Sequence, residues 1–242
     1  MNNVIICEGM TDAILVNYYL GRTQGWQFTG KNLPFNFPMK NKATETGNWY
    51  AKEKDFCGIW GIGGKSNLDY ALSEIIRIAE ISADRVQRVV VMMDRDDEKS
   101  EEETIKTVEK HFKSSTPLEN NKWASLALTD SFGKTCSIEL LPLVIPFDRY
   151  GALETFLLDS LAVQDEHDKY VIDAARNFVK SLISAKYLPT ERLKLKAELG
   201  VTFAVFSPQK VFTPLHALLE QIPWEDYNHI QTAFKSLDRL SK

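Results

Sequence analysis

Residues 88–97, RVVVMMDRDD, run five consecutive apolar side chains straight into a cluster of carboxylates. An unbroken apolar run of this length, bounded by charges, reads as a strand buried on both faces. Such a strand needs helices packed above and below it, which points to an α/β protein with a mostly parallel sheet. The carboxylates constrain it further. Asp94, Asp96 and Asp97 at the end of a buried strand disfavour one another's ionisation, so a cation is expected among them.

The rest of the chain agrees with that architecture. NVIICEGMTDAILVNYYL reads as a strand over Val4–Cys7, a turn at Glu8 and Gly9, and a helix from about Thr11, which is the expected cap. Residues 21–55, rich in Gly, Asn, Lys and Thr, suggest an irregular insertion or a hairpin. FCGIWGI is a second strand, and the helix after it opens with Ser66 and Asp69 in capping-box spacing. The strand at 88–94 is the third, and Ser100 with Glu103 repeats the capping pattern before the next helix. WASLALT and SIELLPLVIPF are two more strands at or beyond the sheet edge, and the pattern from GALETFLLDSLA onward is helical.

Composition narrows the function classes. No apolar run reaches the roughly 18–20 residues needed to cross a bilayer, and the N-terminus lacks a signal peptide's basic flank and cleavage site, so a cytoplasmic protein is expected. Cys7, Cys57 and Cys136 are odd in number and widely spaced, which offers neither a disulfide framework nor a zinc site. His111, His167, His216 and His229 show no ligand spacing and read as surface or helix residues. The net charge of −4 is divided unevenly. Residues 1–168 carry 18 basic and 26 acidic side chains, residues 169–242 carry 11 and 7, and the 176–210 segment is the candidate phosphate-backbone footprint.

Ligands of open parallel sheets bind at the carboxyl ends of the strands. Glu8 ends the first strand, Asp94 and Asp96 end the third, and Asp12 on the first helical turn can point back to Glu8. Hard carboxylate oxygens in that arrangement suit Mg²⁺ or Mn²⁺. A P-loop is excluded for GIWGIGGKS, because Gly58 stands one residue too far from Gly64.

IICEGMTDAILV followed by VVVMMDRDD resembles the Toprim domain of topoisomerases, primases and several nucleases, and IWGIGGKSNLDYAL resembles that family's glycine-bearing second strand and turn. The resemblance covers about residues 1–145. It implies a Rossmann-like Toprim core at 1–145, with the 21–55 insertion, and a helical extension at 146–242 that completes the site. Among Toprim proteins the chain looks most like the small stand-alone and OLD-like nucleases known from anti-phage systems. YGALETFLLDSL looks like the helix that gives that group a further metal carboxylate, here Glu154, and ERLKLKAELGV lies where it carries a functional Lys, here Lys196.

The resemblance then implies a metal-dependent nuclease. Asp94, Asp96 and Glu8 would surround one ion, and Glu8, Asp12 and Glu154 a second, with Glu8 in acid/base chemistry and Lys196 steadying the transition state. Lys65, Arg192 and Lys194 are the expected substrate contacts. Nucleic acid is the expected partner, DNA ahead of RNA, and a protein partner such as an ATPase subunit is a further expectation. Two alternatives stay open: a Toprim subunit that binds nucleic acid without cutting it, and an RNA-processing ribonuclease.

Overall fold

The expected strand at 88–94 forms as Arg88–Asp94, every residue of it buried. The computed structural model describes residues 1–82, 85–183, 186–210 and 212–241, the side chains of 215 and 216 excepted. In chain order these form β1 (Asn2–Cys7), α1 (Met10–Gln24), β2 (Gln27–Thr29), β3 (Thr46–Lys52), β4 (Asp55–Gly61), α2 (Leu68–Ile81), β5 (Arg88–Asp94) and α3 (Ser100–Phe112). β6 (Ala124–Thr129), β7 (Thr135–Ile145), α4 (Leu153–Gln164), α5 (Glu166–Ser181), α6 (Glu191–Phe206), α7 (Leu215–Leu219) and α8 (Asn228–Phe234) follow.

The sheet order is β2-β3-β4-β1-β5-β7-β6. Its four central strands, β4, β1, β5 and β7, are parallel, and the edge strands pair antiparallel. This is the α/β class expected, with helices on both faces and a helical C-terminal extension. The alternation of side chains along each strand divides the core in two. Ile5, Cys7, Val90, Met92, Leu141 and Leu143 face α1 and the C-terminal helices. Val4, Ile6, Val89, Val91, Met93 and Leu140 face α2 and α3. No helix among the described residues is long and apolar enough to cross a membrane.

Of the two expectations for residues 21–55, an irregular insertion or a hairpin, the structure shows antiparallel strands. β2 and β3 extend the sheet there, and β3 returns into β4 as an antiparallel hairpin turning at Glu53, whose φ is 53°. Aromatic packing holds this edge: Phe37 stacks on Trp49 with centroids 5.2 Å apart. A Cβ at Gly58 would stand 2.6 Å from the Phe37 ring, so the glycine leaves room for it. Glu45 is buried beneath the edge and fully engaged. Its Oε1 accepts from the Lys40 and Asn41 amides at 2.8 Å each, and its Oε2 accepts from Trp60 Nε1 at 3.0 Å.

The helix starts also differ. α1 is capped at Gly9 rather than Thr11, because the Asp12 carboxylate reaches back to the Gly9 amide at 2.6 Å. Ser66 lies in a 3₁₀ turn, Lys65–Asn67, ahead of α2. Asp97 supports the start of α3, its Oδ1 accepting from the Lys99 and Ser100 amides at 2.9 Å each, so Ser100 is inside the helix and not its cap. Cys7 and Cys57 are buried and Cys136 is partly buried. His111, His167 and His229 sit in helices, whereas the side chain of His216 lies outside the described residues.

Candidate functional site

β1 and β5 are adjacent and in parallel register, with Cys7 opposite Met92, so Glu8 and Asp94 leave the sheet side by side. The Glu8 amide donates to Met92 O at 3.2 Å, and the Asp94 amide donates to Glu8 Oε2 at 3.5 Å. On the other flank β4 ends in Gly61. A Cβ there would stand 2.7 Å from Gly9 O, so only glycine lets the two turns touch. Two hydrogen bonds then stitch the turns together, Ile62 N to Cys7 O at 2.9 Å and Gly64 N to Glu8 O at 2.8 Å. The glycine turn therefore positions Glu8 and is no phosphate loop.

α4 arrives from the far side of β5. The Arg95 amide donates to Ile145 O at 2.7 Å and the Gly151 amide to Arg95 O at 2.8 Å, which anchors the loop leading into the helix. The first free amide of α4, Leu153 N, donates to Asp94 Oδ1 at 3.0 Å, which suits a carboxylate at a helix N-terminus. Glu154 follows it into the same space. Glu8, Asp12, Asp94 and Glu154 are 2, 5, 5 and 4% exposed, four carboxylates nearly withdrawn from water at one edge of the sheet. Asp96 is exposed at the mouth.

Burial and mutual repulsion hold Glu8, Asp12 and Asp94 toward their protonated forms. Burial, chiefly, raises Glu8, with Arg192 pulling it down and Asp96 pushing it up. Asp12 is pushed up to about 7 by burial, against the Gly9 amide, and by the charges of Glu8 and Glu154. Asp94 is raised well above the usual range by burial and then by Asp12, Glu8 and Glu154.

Two cations from α6 balance the cluster in part. Arg192 Nη1 donates to Glu8 Oε1 at 3.1 Å, and Lys196 Nζ donates to Glu154 Oε1 at 2.5 Å. The structure thus brings together Glu8, Asp12, Asp94, Glu154, Arg192 and Lys196, with Asp96 beside them. Lys65 and Lys194 are turned elsewhere, to Glu103 at 3.4 Å and Glu191 at 2.5 Å, although the Lys65 charge still reaches Glu8. Lys194 lines a cleft of about 620 Å³ between α5 and α6, with Thr155, Arg176 and Lys180. A second cleft, of about 630 Å³, lies between the loop after β7, α4, α5 and α8 and contains none of the five carboxylates.

Sequence reasoning missed the backbone donors Gly9 N and Leu153 N, and it placed Arg192 on substrate rather than on Glu8. The only available signal was the i, i+4 spacing of Arg192 and Lys196, which puts both on one helix face. For a divalent cation the donor set fits by type and charge, since every ligand is a hard oxygen. In this conformation no three His, Cys, Asp or Glu side chains among the described residues are arranged to hold a metal ion. Arg192 and Lys196 supply the counter-charge instead.

The sequence matches the family described as "Protein of unknown function (DUF3226)" over residues 2–235. No curated protein matches it. The fold is similar to the crystal structure of hypothetical protein PH0156 from Pyrococcus horikoshii OT3, with a TM-score of 0.53 at 14% identity, covering 100% of this chain and 99% of that one. A likeness at that identity bears on the fold alone.

Proposed function

The chain belongs to the DUF3226 family, whose function is unknown, and we propose that it is a divalent-metal-dependent nuclease of the Toprim, OLD-like type, acting on DNA ahead of RNA. The observation that carries this reading is the convergence of four buried carboxylates from β1, α1, β5 and α4 at the carboxyl ends of parallel strands. Purely structural carboxylates are built differently here, as Glu45 with its three fixed donors illustrates. Placing four carboxylates together, each desolvated and repelling the next, destabilises the metal-free protein and is explained by a cationic ligand.

Glu8, Asp12, Asp94 and Glu154 would hold Mg²⁺ or Mn²⁺, probed as one or two ions, with Asp96 joining from the mouth. A bound ion of this class stabilises charge on a phosphoryl oxygen and makes water a nucleophile near neutral pH. The chain's own residues do the rest. Glu8, raised by burial, is suited to take a proton from the attacking water. Lys196 is suited to donate to the leaving oxygen, and Arg192 and Lys194 to hold flanking phosphates. The exposed Arg192 stands on Glu8, and the exposed Lys180 lines the cleft between α5 and α6 with Lys194, along which a nucleic-acid backbone would pass. A cytoplasmic location and a protein partner such as an ATPase subunit belong to the same reading.

One observation favours a second reading, a Toprim subunit that binds nucleic acid without cutting it: Glu8 and Glu154 are already neutralised by Arg192 and Lys196. The test presents supercoiled plasmid, single-stranded DNA and structured RNA to the protein with Mg²⁺, Mn²⁺ or EDTA, beside Glu8→Ala and Asp94→Ala. Cleavage that requires metal and is lost at least 100-fold in both variants is expected. Metal binding by calorimetry with no cleavage of any substrate selects the second reading, and no metal binding defeats both.

A further inference from the structure

We propose that Arg192, assisted by Lys196, is an exchangeable counter-ion: it stands in for the divalent cation on Glu8, leaves when the cation enters, and is thereby freed to bind a substrate phosphate. This rests on the metal-dependent reading above and adds a linkage between metal and phosphate binding at the same site.

The asymmetry of the ion pairs is the first support. The Glu8 side chain is 2% exposed while the Arg192 side chain is 51% exposed, and the Glu154 side chain is 6% exposed while that of Lys196 is 43% exposed. Each pair therefore joins a fixed, desolvated carboxylate to a cation with an open path to solvent. Opening it moves the cation and leaves the carboxylate in place. The Arg192 contact is also made through one nitrogen, without the two-pronged geometry that locks a guanidinium onto a carboxylate.

The helix that carries both cations is secured at its other end. Leu199, Thr202 and Phe203 are buried, whereas Glu191, Arg192, Leu193 and Lys196 are exposed. The first two turns of α6 thus lie over the carboxylates with little apolar burial, and segments of that kind open at low free energy. Thr190 still caps the helix, accepting from Leu193 N at 3.3 Å, so the side chains can exchange partners without the helix unwinding.

Charge sets the direction of exchange. Four buried carboxylates face two monovalent cations, and a compact divalent ion attracts the same oxygens with twice the charge. The counter-ion role also accounts for the lack of any three-carboxylate arrangement around one point among the described residues, because Glu8 Oε1 is turned toward α6 by Arg192 while its Oε2 faces the Asp94 amide. A released Arg192 at the mouth raises phosphate affinity, and by linkage phosphate then tightens metal binding by the same factor.

The test is a Mn²⁺ titration by calorimetry of the full chain, with no nucleic acid, for wild type, Arg192→Gln and Arg192→Lys. Removing the competitor is expected to tighten Mn²⁺ binding about tenfold in Arg192→Gln, with Arg192→Lys close to wild type. Arg192→Gln binding no tighter than wild type, while wild type binds, overturns the exchange and leaves the metal-dependent reading standing. Failure of both proteins to bind Mn²⁺ overturns the two together. A measurement on wild type avoids any dependence on the variant's folding: phenylglyoxal labelling of arginines, read by peptide mass spectrometry with and without Mn²⁺. Arg192 is expected to label several-fold faster with Mn²⁺ while Arg77, paired with Glu74 on α2, does not change. An unchanged Arg192 rate overturns the proposal.

Discussion

Asp12 moves from an ordinary 3.8 to about 7 because burial removes water from its carboxylate, and Glu8 and Glu154 add to the rise. Asp94 and Glu8 move the same way, burial leading in each. A carboxylate raised on folding binds more protons in the native than in the unfolded state. Its contribution is therefore fully present below its unfolded value and lost as pH climbs through the folded one. Metal-free protein is expected to lose stability between about pH 4 and pH 8, by roughly 4 kcal/mol from Asp12 alone. Scanning calorimetry in EDTA checks this: Asp94→Asn should flatten the slope and unfold at a higher temperature than wild type at pH 8. An equal slope in wild type and Asp94→Asn would remove the burial argument. Glu8, Asp12 and Asp94 were legible in the sequence because residue type and place at a strand or helix end carry the signal, whereas Glu154 came only from the resemblance to OLD-like proteins. The Arg192–Glu8 contact spans 184 residues and is set by how α6 docks, so the sequence had only helical spacing to offer.

At the scale of elements, two glycines make opposite predictions. Gly61 ends β4 where a Cβ would stand 2.7 Å from Gly9 O, so Gly61→Ala must push the Glu8 turn off the strand. A loss of about 1–3 kcal/mol is expected, together with weakened Mn²⁺ binding, because the displaced turn carries Glu8, a proposed ligand. Gly200 lies in the exposed interior of α6 with nothing within 4 Å of a Cβ. Gly200→Ala is expected to stabilise by about 0.5–1 kcal/mol and leave Mn²⁺ affinity unchanged. Thermal melts and the same titration decide both, and a neutral Gly61→Ala would mean that the close approach is dispensable. The strands and helices of the core were readable from period and apolar runs. β3 was not, because Thr46, Gly47 and Asn48 dilute its apolar signal and its place is fixed by Phe37 and Trp49, which belong to tertiary packing. Capping by Asp12 and Asp97 was likewise hidden behind nearby Thr and Ser residues with the same preference.

At the scale of the whole molecule, the helical extension after β7 covers one face of the sheet. Leu157, Phe203, Trp224 and Phe234 share a single apolar cluster with Ile5, Val90 and Leu141, whereas Trp60 packs on the opposite face with Ile75 and Val108. Both faces are built on the same strands, since successive residues of β1, β5 and β7 point to opposite sides. Exposing one face to water therefore strips the other layer's support from the shared backbone, and the chain is expected to unfold as one cooperative unit. Trp60 and Trp224 are both fully buried and report the two layers separately. The chain has five tryptophans, so each layer is isolated as the difference between wild-type and Trp60→Phe or Trp224→Phe fluorescence, and in denaturant both difference transitions should coincide with far-UV circular dichroism. A C-terminal layer that melts first, seen as an early Trp224 transition with the sheet's dichroism intact, would show instead that the site is assembled by docking of α4 and α6 onto a sheet that is stable without them. In that case Glu154, Arg192 and Lys196 would be absent from the carboxylate cluster whenever the layer is open.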